Sequence, residues 1–163
     1  HIPALVVQPD PPQAAPEPRG DNWQRSIAFV LRQEGGLSLD PNDSGNWYNG
    51  QLIGTKYGIS AASWADQYDI PNLTLEQAQA IYRQHYWQAS GADKLPWPAC
   101  LLVFDTAVLH GVGTAAAWLS EAGPNAYAFA AKRLKVYVES DKWKHFGVGW
   151  TNRVAELLAE MAK

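Results

Sequence analysis

Between Pro98 and Gly111 the chain carries Leu101, Leu102, Phe104, Val108 and Leu109, apolar residues spread almost all round a helix. A helix with no polar face has no side to give to water, so other elements must enclose it. That requirement predicts a domain of helices packed around a central, buried one. Pro98 suits its first turn, and Gly111 and Gly113 end it. Ahead of it, Trp23, Ile27, Val30 and Leu31 recur at helical spacing behind Asp21, a suitable N-cap, until Gly35-Gly36 stops the pattern. Ser60 is placed to cap a short helix through Trp64, and Thr74 with Gln77 forms a capping box for a helix through about Trp87. Further helices are predicted over about 114–121, 125–138 and 149–162. Residues 37–59 are rich in Gly, Asn and Asp and read as a loop with one small hairpin, extended around 52–53 and 57–59. The expected fold is mainly α with a small β-hairpin.

A length of 163 residues suits one domain. Six of the eleven prolines fall before residue 20, and no aromatic residue precedes Trp23. Residues 1–20 therefore read as a Pro-rich linker or tail, and 21–163 as the folded domain. The linker predicts an N-terminally tethered domain or translocation partner; a disordered tail with no partner is the alternative. The net charge is −3 with no basic run, which argues against nucleic acid as a partner. Cys100 is the only cysteine, so no intramolecular disulfide forms and folding needs no oxidising compartment. No stretch approaches the roughly 18 apolar residues of a membrane span, and the first residues lack a secretory signal pattern. Four scattered histidines and one cysteine give no zinc spacing, so neither metal nor cofactor is expected. Eight tryptophans and seven tyrosines are many for this length. Such rings fill cores, and they also line carbohydrate clefts, where sugars offer flat C–H faces.

The stripe 23, 27, 30, 31 continues to position 34, and Glu34 occupies it. A carboxyl group there meets two unfavourable effects when ionised: burial and the negative end of the helix dipole. Both predict a protonated acid near neutral pH, which is what a glycosidase needs to protonate its leaving group. A surface Glu at a frayed helix end is the alternative. Asp43 follows in the polar turn Asp40-Pro41-Asn42-Asp43-Ser44-Gly45. A solvated loop carboxylate stays ionised, and one acid with one ionised base is the pair that glycoside hydrolysis uses. The turn also suits plain Asx chemistry; a calcium loop fits less well, because the EF-hand spacing and its distal Glu are missing.

Several motifs in order carry a family resemblance. Glu34-Gly35-Gly36, the Asp40 to Gly45 turn and Gly54-Thr55-Lys56-Tyr57-Gly58-Ile59-Ser60 resemble the N-terminal signature of glycoside hydrolase family 108, N-acetylmuramidases found as phage endolysins and secretion-associated lysozymes. Tyr82-Arg83-Gln84-His85-Tyr86-Trp87, Leu95-Pro96 with Val103-Phe104-Asp105-Thr106-Ala107-Val108, and Phe146-Gly147-Val148-Gly149-Trp150-Thr151-Asn152-Arg153-Val154 are similar to later segments of that family. The resemblance implies a lysozyme-like, two-lobed α+β fold around a sugar cleft, with Glu34 as catalytic acid. It implies Asp43 and Thr55 as its catalytic companions, since phage-type lysozymes use a Glu, then an Asp nine positions on, then a Thr. Extra residues around 47–52 read as a longer hairpin tip. Ser44 stands where the family usually has Pro, and His110 where it often has Asn.

The implied reaction is hydrolysis of the β-1,4 bond between N-acetylmuramic acid and N-acetylglucosamine in peptidoglycan. Glu34 donates the proton, Asp43 acts as base or electrostatic partner, and Thr55 helps hold the water. Carboxyl groups about 6.5–9.5 Å apart and inversion of configuration would follow. Tyr57, His110 and Asp105 are candidate substrate-binding residues. Tyr57 is either a stacking ring or a strand residue on the core, His110 faces the cleft or solvent, and Asp105 is a buried strut or the cleft floor. Arg153 is expected to pair with a carboxylate. The partner is peptidoglycan glycan, the protein a monomer, and the place of action the periplasm or wall after export, phage release or secretion-system delivery. Rival readings are a lytic transglycosylase and a non-catalytic peptidoglycan-binding module.

Overall fold

The computed structural model describes residues 19–163. Most of the Pro-rich segment, residues 1–18, lies outside the described residues. Helix α1 spans Arg19–Gln33, so Asp21 lies inside it rather than at its cap. Extending an already nucleated helix by a turn costs little.

The apolar segment becomes α4, Ala99–His110, buried continuously from Ala99 through Ala107. Around it pack α1, α5 (Val112–Ala122), α6 (Ala126–Glu139) and α7 (Trp143–Met161). The Thr74 capping box opens α3, Leu75–Tyr82, with both reciprocal bonds formed, and the chain continues through a wider π-turn over Arg83–Gln88. Trp23, Trp87 and Phe104 meet edge to face or tilted, with ring centroids 5.4–5.8 Å apart, so these tryptophans build the core. Among the described residues no helix is long and apolar enough to cross a membrane.

The last helix begins at Trp143, earlier than the two glycines of the Phe146 to Trp150 run suggest. Gly147 is no breaker: a Cβ there would lie 2.5 Å from the Trp143 ring, so its bareness lets that ring fold down on the helix.

The β element also differs from expectation. Two antiparallel hairpins form, β1 (Trp47–Tyr48) with β2 (Gln51–Leu52), and β3 (Thr55–Lys56) with β4 (Ile59–Ser60). Each turns through two residues of positive φ: Asn49 and Gly50 at 48° and 75°, Tyr57 and Gly58 at 53° and 78°. Those are the turns whose twist matches a hairpin. The extra residues around 47–52 are therefore a hairpin of their own, and Tyr57 is a turn residue, not a strand residue. Asn46 ties the pair together. Its carbonyl accepts from the Ile53 and Gly54 N–H groups, and its Nδ2 donates to the Asp40 carbonyl at 2.9 Å. A short helix α2, Ala61–Trp64, follows Ser60, which stands at its N-cap position without a side-chain bond.

Candidate active site

Glu34 is the first residue past α1, its N–H still donating to the Val30 carbonyl at 3.1 Å. Its side chain is 23% exposed. The second hairpin reaches it: a Cβ on Gly58 would lie 2.9 Å from both Cγ and Oε2 of Glu34, and closer still to the Tyr82 hydroxyl. Only glycine lets the turn close over this carboxyl group, and its φ of 78° suits glycine as well. The turn is pinned from both sides. Tyr57 N–H donates to the Gly35 carbonyl at 3.2 Å, and the Tyr82 hydroxyl donates to the Tyr57 carbonyl at 2.8 Å. Burial, then the nearby charge of Glu34, pushes the Tyr82 hydroxyl well above the usual tyrosine range, so it stays a donor. Tyr57, held at a φ that costs a non-glycine residue energy, sits half-buried with its ring against the core.

On its other side Glu34 is not surrounded by apolar groups, as its place on the helix stripe suggested. Arg153 Nη1 of α7 donates to Glu34 Oε1 at 3.1 Å. The same guanidinium holds Asp105 Oδ1 through Nε at 3.0 Å and Nη2 at 2.9 Å. Burial works against the charge of Arg153, but Asp105 and then Glu34 outweigh it and raise its pKa. Asp105 is fully buried, with its Oδ2 2.8 Å from Arg133 Nη1, itself fully buried. Arg133 also donates to the Thr106 hydroxyl at 3.0 Å and to the Tyr137 hydroxyl at 2.6 Å. Two carboxylates and two guanidiniums thus alternate from the partly exposed Glu34 into the core. Asp105 cannot be cleft floor or touch a ligand from there: both oxygens face guanidinium groups and neither meets solvent.

His110 closes α4 half-buried, its Nε2 2.6 Å from the Tyr137 hydroxyl. Its ring lies among Trp118, Tyr137 and Trp150. Burial, with the positive charge of Arg133 next, lowers its pKa to about 4 against the opposing pull of Asp105. It is neutral at pH 7 and belongs to an aromatic cluster beside Arg153 rather than to open solvent.

Asp43 is exposed and caps the short turn Ser44–Asn46, accepting from Gly45 N–H at 2.8 Å. Its Asx geometry is therefore real. A Cβ on Gly45 would lie 3.1 Å from Asp43 Oδ1 and 3.5 Å from Ser60 Cβ, and Ser60 pairs across the hairpin with Thr55. The Asp43 loop thus folds over the open end of the hairpin whose turn covers Glu34. Thr55 bonds through its backbone to Ser38, at 2.8 and 3.0 Å, while its hydroxyl is turned inward without a partner among the described residues. The hairpin therefore links Glu34, Tyr57, Thr55 and Asp43, and α7 links Glu34 to Asp105 and His110.

Sequence reasoning missed Arg133, Tyr137, Tyr82 and the role of Gly58. One signal was present: Arg133 and Tyr137 stand four apart, on one face of a helix. A separate depression of about 210 Å³ between α1 and α7, lined by Phe29, Arg32, Gln33, Glu156 and Glu160 among others, contains none of the predicted site residues. Among the described residues no three His, Cys, Asp or Glu side chains converge as a metal site requires.

Three comparisons bear on this arrangement. The family model described as glycosyl hydrolase 108 matches residues 27–111, from α1 through the end of α4. Among solved structures the chain is similar to the structure of Brucella abortus SagA, with a TM-score of 0.70 and 23% sequence identity over 88% of this chain and 95% of that one. That likeness extends the shared, mainly α, lysozyme-like fold to the C-terminal helices beyond the family match. No curated protein matches the chain.

Proposed function

The chain belongs to the glycosyl hydrolase 108 family, and from that premise we propose that it hydrolyses the β-1,4 bond between N-acetylmuramic acid and N-acetylglucosamine in peptidoglycan, with Glu34 as proton donor. One observation carries the reading: Glu34 is the carboxyl group clamped between a hairpin turn and the helical body, at once 23% exposed and gripped by Gly58 and Arg153. A proton donor needs that combination of access and fixed aim. Glu34 has to carry a proton when the glycan arrives; as it passes that proton to the glycosidic oxygen it returns to the carboxylate that pairs with Arg153 at 3.1 Å, which stabilises the charge.

Asp43 is the ionised partner, stabilising the oxocarbenium-like transition state or activating water on the opposite sugar face. Glu34 lies against the turn of the second hairpin, at Gly58, and the Asp43 loop meets its open end through Gly45 and Ser60. Inversion of configuration is the outcome expected of two carboxyl groups that stand wide apart across the sugar. Thr55 anchors the Asp43 end of the hairpin, and its hydroxyl reaches the water only by rotating out of its buried position. Because peptidoglycan lies outside the cytoplasmic membrane, the enzyme acts in the periplasm or on the wall, after export, phage release or secretion-system delivery.

The test is mass analysis of muropeptides released from purified peptidoglycan. Products ending in a reducing N-acetylmuramic acid are expected; anhydro ends, lighter by one water, would replace hydrolysis with a transglycosylase reaction, and binding without release would leave a wall-binding module. Gly58→Ala supplies a second check. Its φ costs about 1–2 kcal/mol of stability, but its methyl group displaces the Glu34 carboxyl. Cleavage is expected to fall on the order of 10²-fold, while thermal melting still shows one folded transition. Wild-type rates in Gly58→Ala would mean that the turn does not aim Glu34.

A further inference from the structure

Helix α7 carries a stripe that the mechanism above leaves unused. Phe146, Gly149, Trp150 and Arg153 fall at helical spacings of three, four and seven, so they share one face of the helix. Arg153 ends that stripe on Glu34. The rings before it form a stack. Trp150 lies 4.7 Å from Tyr137 at an interplanar angle of 26°, and Phe146 lies 5.6 Å from Trp150, again at 26°. Tyr137 is buried and held by Arg133, so the base of the stack is tied to the network that grips Glu34. The outermost ring, Phe146, is 53% exposed.

Packing does not account for this arrangement. An exposed phenylalanine ring gains little from burial, yet it is presented on Trp150, which is itself stacked on Tyr137. Gly149 is exposed and a Cβ there would meet nothing within 4 Å, unlike Gly147, whose bareness the Trp143 ring requires. A glycine inside a helix costs up to about 1 kcal/mol relative to alanine. Here it leaves bare backbone beside the stacked rings, room for a bulky ring substituent.

We propose that the outer face of Phe146, backed by Trp150 and Tyr137 and opened by Gly149, is a pyranose-stacking subsite that holds the glycan strand beside Glu34. The inference rests on the reading of Glu34 as the acid of a glycan cleft. The occupant follows from shape and continuity: a sugar ring offers the flat C–H face an aromatic platform takes. Seven helical residues, about 10 Å, separate Phe146 from Arg153, a span that a short run of sugar units covers. Gly149 leaves space for the acetamido group of an N-acetylated sugar.

The experiment compares wild type, Phe146→Leu and Phe146→Trp, each confirmed folded by thermal melting. Glycan strands freed of stem peptides are the probe, with binding measured by titration in the Glu34→Gln background and cleavage by initial rates. Leucine keeps the apolar character and removes the flat ring. Phe146→Leu is expected to weaken strand binding about three- to tenfold, the scale of a ring-stacking contact, with the loss falling on KM more than on kcat. Phe146→Trp is expected to restore it. Equal binding in Phe146→Leu, failure of Phe146→Trp to restore it, or a change in self-association in place of binding would each overturn the subsite. Cleavage of peptidoglycan that Phe146→Leu does not alter would sink the platform alone. Strand binding that depends on the ring, in a wild type that releases no products, would keep the platform and sink the proposed reaction.

Discussion

Glu34→Gln is expected to stop peptidoglycan cleavage while leaving the protein folded. Glutamine has the shape of glutamate, so it fills the same gap under Gly58, and its carbonyl oxygen still accepts from Arg153 Nη1 where Glu34 Oε1 does at 3.1 Å. What it lacks is a proton that it can give to a glycosidic oxygen and retrieve. General acid catalysis contributes about 10²–10⁴-fold, so release of reducing ends from purified peptidoglycan should fall by at least that order. The melting midpoint should stay close to wild type, because the Arg153 guanidinium keeps its two contacts to Asp105. A Glu34→Gln protein that clears sacculi at the wild-type rate would remove Glu34 from the reaction, whatever the geometry around it. Arg153 sharpens the comparison: it favours the carboxylate that proton transfer creates, and the glutamine variant never acquires that charge.

The central helix was legible because a segment apolar on every side has one physical solution, enclosure. The Thr74–Gln77 capping box was legible because both halves of the device are local. Glu34 stood out because it interrupts an apolar stripe. Its surroundings did not, since Arg153 lies 119 residues away and reaches it only once α7 has packed beside α1. Arg133 left little sign of its burial beyond its spacing from Tyr137: an arginine in a helical pattern reads as a solvated face, and the charge of Asp105, from another helix, with the Tyr137 and Thr106 hydroxyls makes its enclosure tolerable. Local reading also misjudged backbone shape. Tyr57 looks like a strand residue by type, yet the Gly35 carbonyl and the Tyr82 hydroxyl hold it at positive φ. Asn49-Gly50 carries the turn signal for a hairpin, but it sits within residues that read as one longer tip. Gly147 reads as a helix breaker until the ring of Trp143 is seen to need its place.

Asp105→Ala should be the most destabilising change in the network. Asp105 and Arg133 are both fully buried and face each other at 2.8 Å, and Asp105 also anchors Arg153. Taking away the carboxylate leaves two guanidinium charges with no anion between them, one of them cut off from water. Removing one partner of a buried pair costs about 3–5 kcal/mol, a large part of the 5–15 kcal/mol by which a domain is typically stable. For a domain of this size that lowers the melting midpoint on the order of ten degrees. The pair itself is a different matter, because the desolvation of two charges offsets much of their attraction. Asp105→Leu combined with Arg133→Met should therefore melt higher than Asp105→Ala alone, and a double-mutant cycle on the pair should show strong coupling. Both results are read from urea or thermal unfolding followed by circular dichroism. Activity separates the two roles of Asp105: in the double variant Arg153 has lost its anchor, so its grip on Glu34 loosens and cleavage stays low even as stability returns. An Asp105→Ala protein that unfolds with the wild-type midpoint would mean that water reaches Arg133 and the charges are not enclosed as the packing of α4 against α6 places them.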